Sequence, residues 1–437
     1  MPHDDSSTTG LRVLVAGATG FIGAALVTAL QNAGHRVVLG TRAAEPLRRR
    51  QPQSDIVAVD FASAVEHPDW RAQLRNVDAV VNAAGIVREQ HGNRFDAVHD
   101  RGPRALYEAC AATGPRRIIH ISALGADASA ATPFHRSKRD LDDWLLAQPL
   151  QAAVLLPSLV FGPGGASAGL FLGLAGLPLA PLPGGGTQLV QPMHIDDLCA
   201  AVVRLLGNGT VGRIPAVGPR CIALRDYVAL LRHQLGFAPA RSVAVSNEIV
   251  LRAAALVGAD DTVDRDTLAM LDRGNCGAAE PLTRLLGRAP RDPSDFVSMA
   301  DVRWARDAAL WFWAEPAARL SLAALWIASG VFSLLYPRSE SLALLARTGL
   351  HGAAAEAALH TASLLDIALG AATFVRRWRR LAYAAQLAVM AAFTLIITIA
   401  LPEFWLHPFT PIAKNLPLAA LTIILLWREP ARGLSHR

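Results

Sequence analysis

Residues 12–23, RVLVAGATGFIG, leave this chain little freedom of fold. A short apolar run of strand character ends in Gly17, and Gly20 and Gly23 follow with Ala18, Thr19, Phe21 and Ile22 between them, opening the helical stretch AALVTAL. The first N–H groups of a helix have no partner within it and carry partial positive charge, and glycines let a pyrophosphate come close to that backbone. The next strand, HRVVLG, completes the strand, loop, helix and strand context in which such glycines hold a dinucleotide. Gly17, Thr19, Gly20, Phe21, Ile22 and Gly23 are the residues expected to line the phosphates.

The rhythm continues to about Leu159, through VDAVVNAAG, ALYEACAATG, RRIIHISALG and a further strand AAVLLPSLVFG over residues 152–162. Apolar strands alternating with helices are the signature of a parallel sheet covered on both faces, so the expected class is α/β, a Rossmann-type doubly wound parallel sheet. A smaller lobe is expected from about 163 to 300, beginning in the Gly- and Pro-rich stretch GPGGASAGLFLGLAGLPLAPLPGGG. Where an acidic residue would hold the adenosine ribose in an NAD site, this chain has Gly40, Thr41 and Arg42. Arg42 can pair with a 2′-phosphate, which favours NADP and leaves NAD as the alternative. Asp60 and Phe61, at the end of DIVAVDF, are expected beside the adenine.

After Pro316 the composition changes. Four apolar segments, near 320–336, 353–375, 381–401 and 412–427, approach the ~20 residues needed to cross hydrocarbon. Arg303 and Arg306 precede the first, Arg376, Arg377, Arg379 and Arg380 separate the second from the third, and Arg428, Arg432 and Arg437 follow the last, against Arg338, Arg347 and Lys414 in the other loops. By the positive-inside rule this predicts a four-helix transmembrane domain over 317–430 in a cell inner membrane, with both termini and the nucleotide domain, 11–300, in the cytoplasm. Trp326, Trp378, Trp405 and Trp427 add aromatic residues to these segments, three of them near segment ends. The net charge of +6 comes with no basic helix interleaved with aromatics, so nucleic acid is not an expected partner. Residues 1–10 are polar, read as a flexible tail and lack the pattern of a signal peptide. Cys110, Cys199, Cys221 and Cys276 show no metal-ligand spacing and read as reduced core thiols, with no metal site and no disulfide framework.

The motifs GATGFIG, VNAAG (81–85), ISALG (121–125), FHRSK (134–138), LPSLVFGPG (156–164) and MHIDDL (193–198) together resemble the extended and atypical short-chain dehydrogenase/reductase family. Within it the chain is most similar to the NAD(P)H-binding proteins related to the 39-kDa accessory subunit of respiratory complex I, and the apolar tail resembles the DoxX-like membrane domains. The resemblance places Ala83, Ala84, Gly85 and Lys138 against the dinucleotide. It also implies a catalytic Ser, Tyr and Lys, in which the lysine lowers the tyrosine pKa so that the phenol can exchange a proton with substrate. Ser122 and Lys138 match two of these positions, but Phe134 stands at the third and has no proton to give. His135 lies about 100° around the helix from the face shared by 134 and 138. His120, two residues before Ser122, reads as a hydrogen-bonded core histidine, and His194 as support for a helix start capped by Asp196.

Glu356, His360 and Asp366 interrupt the second apolar segment, and Glu356 and His360 are spaced to pair on one helix face. They read either as polar glue within a bundle or as a quinone or proton site. The expected function is an oxidoreductase acting on a lipophilic acceptor such as a quinone or isoprenoid. The alternative is a non-catalytic NAD(P)H-binding structural, assembly or redox-sensing module. The expected partners are the dinucleotide, membrane lipid, and a lipophilic small molecule or a membrane protein.

Overall fold

The computed structural model describes residues 10–62, 70–90, 92–115, 117–257, 262–408 and 411–429. The tail read at 1–10 lies outside the described residues except for Gly10, as do Arg432 and Arg437. The chain divides into two compact units, Met1–Leu310 and Trp311–Arg437.

In the first unit, seven parallel strands form one sheet: β1 Arg12–Ala16, β2 Arg36–Thr41, β3 Asp55–Ala58, β4 Ala79–Asn82, β5 Arg117–Ile121, β6 Gln151–Pro157 and β7 Gly212–Ala216. Their spatial order is β7-β6-β5-β4-β1-β2-β3, so the direction of winding reverses between β1 and β4. Ligands of such sheets bind beyond the carboxyl ends of the strands at that switch point. Because side chains alternate along a strand, each strand feeds two cores. Val13, Val15, Val81, Ile119 and Leu155 pack with Leu26, Leu30 and Leu198 from helices α1 (Phe21–Asn32) and α4 (Ile195–Asn208). Leu14, Val80, Ile118 and Val154 pack with Leu106, Tyr107, Leu141 and Leu145 from α2 (Gly102–Thr113) and α3 (Pro133–Leu146) on the opposite face. A third core, around Phe161, Leu172, Tyr227, Leu231 and Phe296, belongs to the segments after β6.

Three expectations need correction. The strand read continuously over 152–162 breaks at Pro157: Val160–Phe161 leaves the sheet and pairs instead with Met193–His194, because Ser158 and Leu159 turn to bond Gln191 and Asn275. Helix α4 is capped by His194, whose Nδ1 accepts from the Asp196 N–H, rather than by Asp196 itself. Cys221 and Cys276 are not free thiols but a disulfide, joining positions 55 residues apart; Cys110 and Cys199 are free and buried as expected. The two paired cysteines meet because Gly218 and Asn275 both bond the backbone of Gln191, which draws their loops together.

The second unit is helical: α5 Val302–Leu335, which begins within the first unit, α6 Arg338–Arg347, α7 Gly352–Ala372, α8 Arg379–Ala400 and α9 Asn415–Arg428. Among the described residues two stretches, Val302–Leu335 and Arg376–Ala400, are long and apolar enough to cross a membrane. Helix α9, at 14 residues, spans about 21 Å, short of the ~30 Å hydrocarbon core. Gly330 and Gly370 let α5 and α7 approach: a Cβ on Gly330 would lie 2.3 Å from the Ser363 carbonyl oxygen, and one on Gly370 would lie 2.9 Å from that of Ala323. Glu356 pairs with Arg338 at 2.7 Å. Asp366 is buried and accepts from Ser329 Oγ at 3.0 Å.

Candidate active site at the carboxyl ends of the strands

The glycine loop is held from below. The N–H groups of Gly17 and Ala18 both donate to the Gly40 carbonyl at 3.0 Å, and Gly17 has φ of +79°, a conformation that side chains disfavour. A Cβ on Gly17 would sit 2.8 Å from the Ala84 backbone, and one on Gly23 only 2.0 Å from the Gly17 carbonyl oxygen. Gly20, at the N-cap of α1, has only that same oxygen nearby, at 3.3 Å, and Thr19 and Gly20 are exposed. The loop is therefore closed toward the protein and open toward solvent, which fits a pyrophosphate over the start of α1.

The loop after β4 continues this surface. Ala83 N–H donates to the Ala16 carbonyl, Ala84 N–H to Asn82 Oδ1, and Ile86 N–H to His99 Nε2, each at 3.0 Å. Gly85 is exposed, and a Cβ there would meet Lys138 Nζ at 3.3 Å and His99 Nε2 at 3.4 Å. Gly17, Ala84, Gly85 and Lys138 thus form one contiguous edge. On the far side of β1, Arg42 is exposed and its Nη1 donates to Asn93 Oδ1 at 2.9 Å, while Thr19 and Thr41 bring their hydroxyls to 3.3 Å. Asp60 is half-buried and accepts from the Ala62 N–H, and Phe61 is buried against Trp70 and Gly102.

Helix α3 begins at Pro133, with Thr132 as its cap, so positions 134, 138, 141, 142 and 145 share one face. Lys138 is buried and donates from Nζ to the Ile121 carbonyl at 3.1 Å; burial lowers its pKa. Ser122, directly after β5, donates from Oγ to Asp142 Oδ2 at 2.6 Å. Phe134 stands with Phe95 and His99 in an aromatic wall, its ring centroid 6.2 Å and 5.7 Å from theirs. His135 turns away, beneath Gly125. His99 receives the Ile86 N–H on Nε2, so Nδ1 carries its proton and donates to Ser137 Oγ at 2.9 Å. Burial, reinforced by the Lys138 charge, pushes the His99 pKa down to about 2 and keeps the ring neutral.

Sequence reasoning named neither His99 nor Asp142. Asp142, four residues after Lys138 and on its face, could have been found from helical spacing. His99 could not, since it is set by a π-helical stretch, Asp96–Arg101, that no periodicity announces.

This fold and this open glycine loop define a dinucleotide-binding domain of Rossmann type, joined to an apolar helical domain. Residues 13–218 match the NAD dependent epimerase/dehydratase family and residues 323–423 the DoxX-like family, so the chain carries an epimerase/dehydratase-type NAD-binding domain followed by a DoxX-like, membrane-associated domain. Among curated proteins, the ceramide reductase of Caulobacter vibrioides is 28% identical over 257 residues, 56% of this chain and 77% of that one. NADH dehydrogenase (ubiquinone) 1 alpha subcomplex subunit 9 of Arabidopsis thaliana is 29% identical over 209 residues, 46% of this chain and about half, 51%, of that protein. Among solved structures, UDP-glucuronic acid 4-epimerase of Bacillus cereus in complex with UDP-glucuronic acid and NAD aligns with a TM-score of 0.51 at 18% identity, covering 68% of this chain and 99% of that one. A nucleoside-diphosphate-sugar epimerase of Staphylococcus aureus aligns with a TM-score of 0.53 at 14% identity, over 65% and 99%. These two likenesses establish the fold alone.

Proposed function

We propose that this chain is a membrane-anchored NAD(P)H-dependent oxidoreductase whose acceptor is a lipophilic molecule bearing a carbonyl or quinone group. The observation that carries this reading is the convergence of Gly85, Lys138 and His99 at the sheet edge that continues from the glycine loop. In this reading Gly17, Thr19, Gly20, Phe21, Ile22 and Gly23 hold the pyrophosphate, while Ala83, Ala84, Gly85 and Lys138 hold the nicotinamide half. Arg42, Asp60 and Phe61 bound the adenosine end. The dinucleotide, when bound, supplies a hydride. The Phe95 and Phe134 rings offer the acceptor an apolar wall, and the segments of the third core, around Phe161, Leu172 and Tyr227, cover its tail. The ceramide reductase relative supports a lipid acceptor.

NADP is the favoured cofactor, because Arg42 follows β2 where no carboxylate stands to repel a 2′-phosphate. The nucleotide domain, 11–300, lies in the cytoplasm and the helical domain, 317–430, crosses the inner membrane four times. Arginine asymmetry supports this orientation, and the Cys221–Cys276 pairing argues against it.

The test is NADPH oxidation by the full chain in lipid nanodiscs, with decylubiquinone and 2-dodecanone as acceptors. Turnover with one of them and NADPH binding tighter than NADH are expected; no turnover with either refutes the reading. Arg42→Ala should weaken NADPH binding about tenfold, the worth of one charge-assisted hydrogen bond, with NADH affinity nearly unchanged.

A second reading, a non-catalytic NAD(P)H-binding module for assembly or redox sensing, is favoured by Phe134, which removes the expected proton donor. The relative among the NADH dehydrogenase subunits supports it.

A further inference from the structure

Behind Ser122 lies a line of buried polar groups on the α2 and α3 side of the sheet. Asn82 Nδ2 donates to Tyr107 Oη at 3.0 Å, and Tyr107 Oη is 3.0 Å from His120 Nδ1. Since the Tyr107 oxygen already accepts from Asn82, its own proton points to Nδ1, which places the His120 proton on Nε2. That atom lies 3.5 Å from Asp142 Oδ1. Both atoms are fully buried and neither has another partner. The other Asp142 oxygen takes the Ser122 hydroxyl at 2.6 Å. Asn82, Tyr107 and Asp142 are 0% exposed and His120 is 1% exposed, so no solvent competes for these bonds.

A carboxyl group in such a place is expensive to ionise. Burial raises the Asp142 pKa, and so does Asp143 beside it; the Ser122 hydrogen bond, the Lys138 ammonium one turn earlier on α3 and Arg213 from β7 all lower it. Arg213 is itself ion-paired with Asp143. His120 is kept neutral by burial and by Lys138. Two groups here can gain or lose a proton, the carboxyl touching Ser122 and Lys138, whose pKa burial lowers; each stabilises the charged form of the other, and of the two only the carboxyl bonds Ser122.

We propose that Asp142 is the proton source of this site and that Ser122 is the hydroxyl that hands the proton to the acceptor's carbonyl oxygen, filling the part Phe134 cannot play. The inference rests on the reductase reading above. In the step, the carbonyl carbon receives a hydride and the carbon–oxygen π bond opens. The Ser122 hydroxyl, which donates to Asp142 Oδ2 in the structure, turns to the acceptor oxygen and gives up its proton there, and Ser122 Oγ takes the proton carried on Asp142 Oδ2. The product is an alcohol, and Asp142 is left as a carboxylate facing the Lys138 ammonium and the His120 Nε2–H. Ser122 is regenerated within the same step, and Asp142, itself closed to solvent, regains its proton through Ser122 once the product has left.

The donor form is the protonated carboxyl, so reduction should slow as pH rises through the raised Asp142 pKa, and alcohol oxidation should slow as pH falls through it. Asp142→Asn keeps the shape and an acceptor for Ser122 but has no transferable proton. In nanodisc-reconstituted full chain with 2-dodecanone and NADPH, this variant should lose about 100-fold in kcat, the contribution of a general acid, with KM and NADPH affinity within about twofold. Unchanged NADPH affinity also certifies that the variant is folded. Independently of turnover, the wild-type spectrum minus that of Asp142→Asn should show the infrared carbonyl stretch of a protonated buried carboxyl at neutral pH, Asp366 contributing equally to both. That difference signal should fade with rising pH. Wild-type turnover together with full activity in Asp142→Asn overturns this inference alone, as does the absence of the infrared difference signal. A wild type that turns over no acceptor overturns the reductase reading and this step with it.

Discussion

The two units place their apolar residues in opposite directions. In the sheet unit, Val13, Leu14, Leu26, Ile118 and Ile119 are wholly enclosed between strands and helices. In the helical unit, Leu335 and Ile399 are each 74% exposed and Trp427 is 81% exposed. A unit that turns such side chains outward while burying Arg319, Asp366 and Gln386 is inverted relative to a water-soluble domain. Both units need glycine, for different reasons. Gly17 and Gly23 clear backbone for a ligand loop, whereas Gly330 and Gly370 clear it for a neighbouring helix, as small residues do between membrane helices. The comparison teaches that hydrophobic content alone says little here; which side of each element it occupies decides the solvent.

The contrast can be broken first at the glycine loop. Gly23→Val puts a side chain where even a Cβ meets the Gly17 carbonyl oxygen at 2.0 Å. Dinucleotide affinity should fall more than about 100-fold and the sheet unit should lose ~3 kcal/mol or more, as an overpacked core does. Calorimetry of the reconstituted chain should show the loss in one of two transitions, leaving the helical unit's midpoint in place. If both transitions move together, the units are not separate bodies. Gly330→Val is the converse: α5 and α7 are forced apart at Ser363, the helical unit loses ~2 kcal/mol or more in detergent, and NADPH affinity stays as in wild type.

How much of this was legible in the sequence also divides by region. Strands β1 to β6 are readable as apolar runs and the glycine loop through its conformational demand, whereas β7, Gly212–Ala216, carries Arg213 and is not told apart from the lobe expected over 163–300. The second apolar segment, expected at 353–375, is a helix over Gly352–Ala372, but among the described residues only two stretches reach spanning length and hydropathy together, and Glu356, His360 and Asp366 dilute this one. Pairings between distant segments left no local trace. Glu356, spaced for His360, binds Arg338 from another helix, and Cys221 finds Cys276 through loops that both fasten to Gln191. Within the site, Ser122 and Lys138 were visible as motif positions. The carboxyl that Ser122 bonds is invisible to motif reading, because its importance comes from burial and from His120 on the adjoining strand β5.

The disulfide sharpens the comparison further, because it bears on which side of the membrane the sheet unit occupies. Both cysteines are exposed, so thiol trapping with a maleimide in intact cells before lysis reads their compartment. With the nucleotide domain in the reducing cytoplasm, both should be labelled, and Cys221→Ser should cost the purified protein about 2–4 kcal/mol only under oxidising conditions. Complete protection of both in cells would place the sheet unit on the oxidising side and break the orientation drawn from the arginines.

The smallest effect is expected at Asp366, where the two readings of the buried polar groups part. Its Oδ2 accepts from Ser329 on α5, and Oδ1 has no partner. If the residue serves to join α5 to α7, an amide serves nearly as well: Asp366→Asn keeps the acceptor for Ser329 and removes a carboxyl from an apolar setting. The two changes oppose each other, so stability should move by less than about 1 kcal/mol and turnover should be unaltered, since one hydrogen bond is worth about that much. A proton or quinone site would behave otherwise, because an amide can hold the shape but cannot exchange a proton. A fall in quinone-dependent turnover of tenfold or more in Asp366→Asn, with turnover on 2-dodecanone intact, would move this residue from the packing of the bundle into the chemistry of the acceptor.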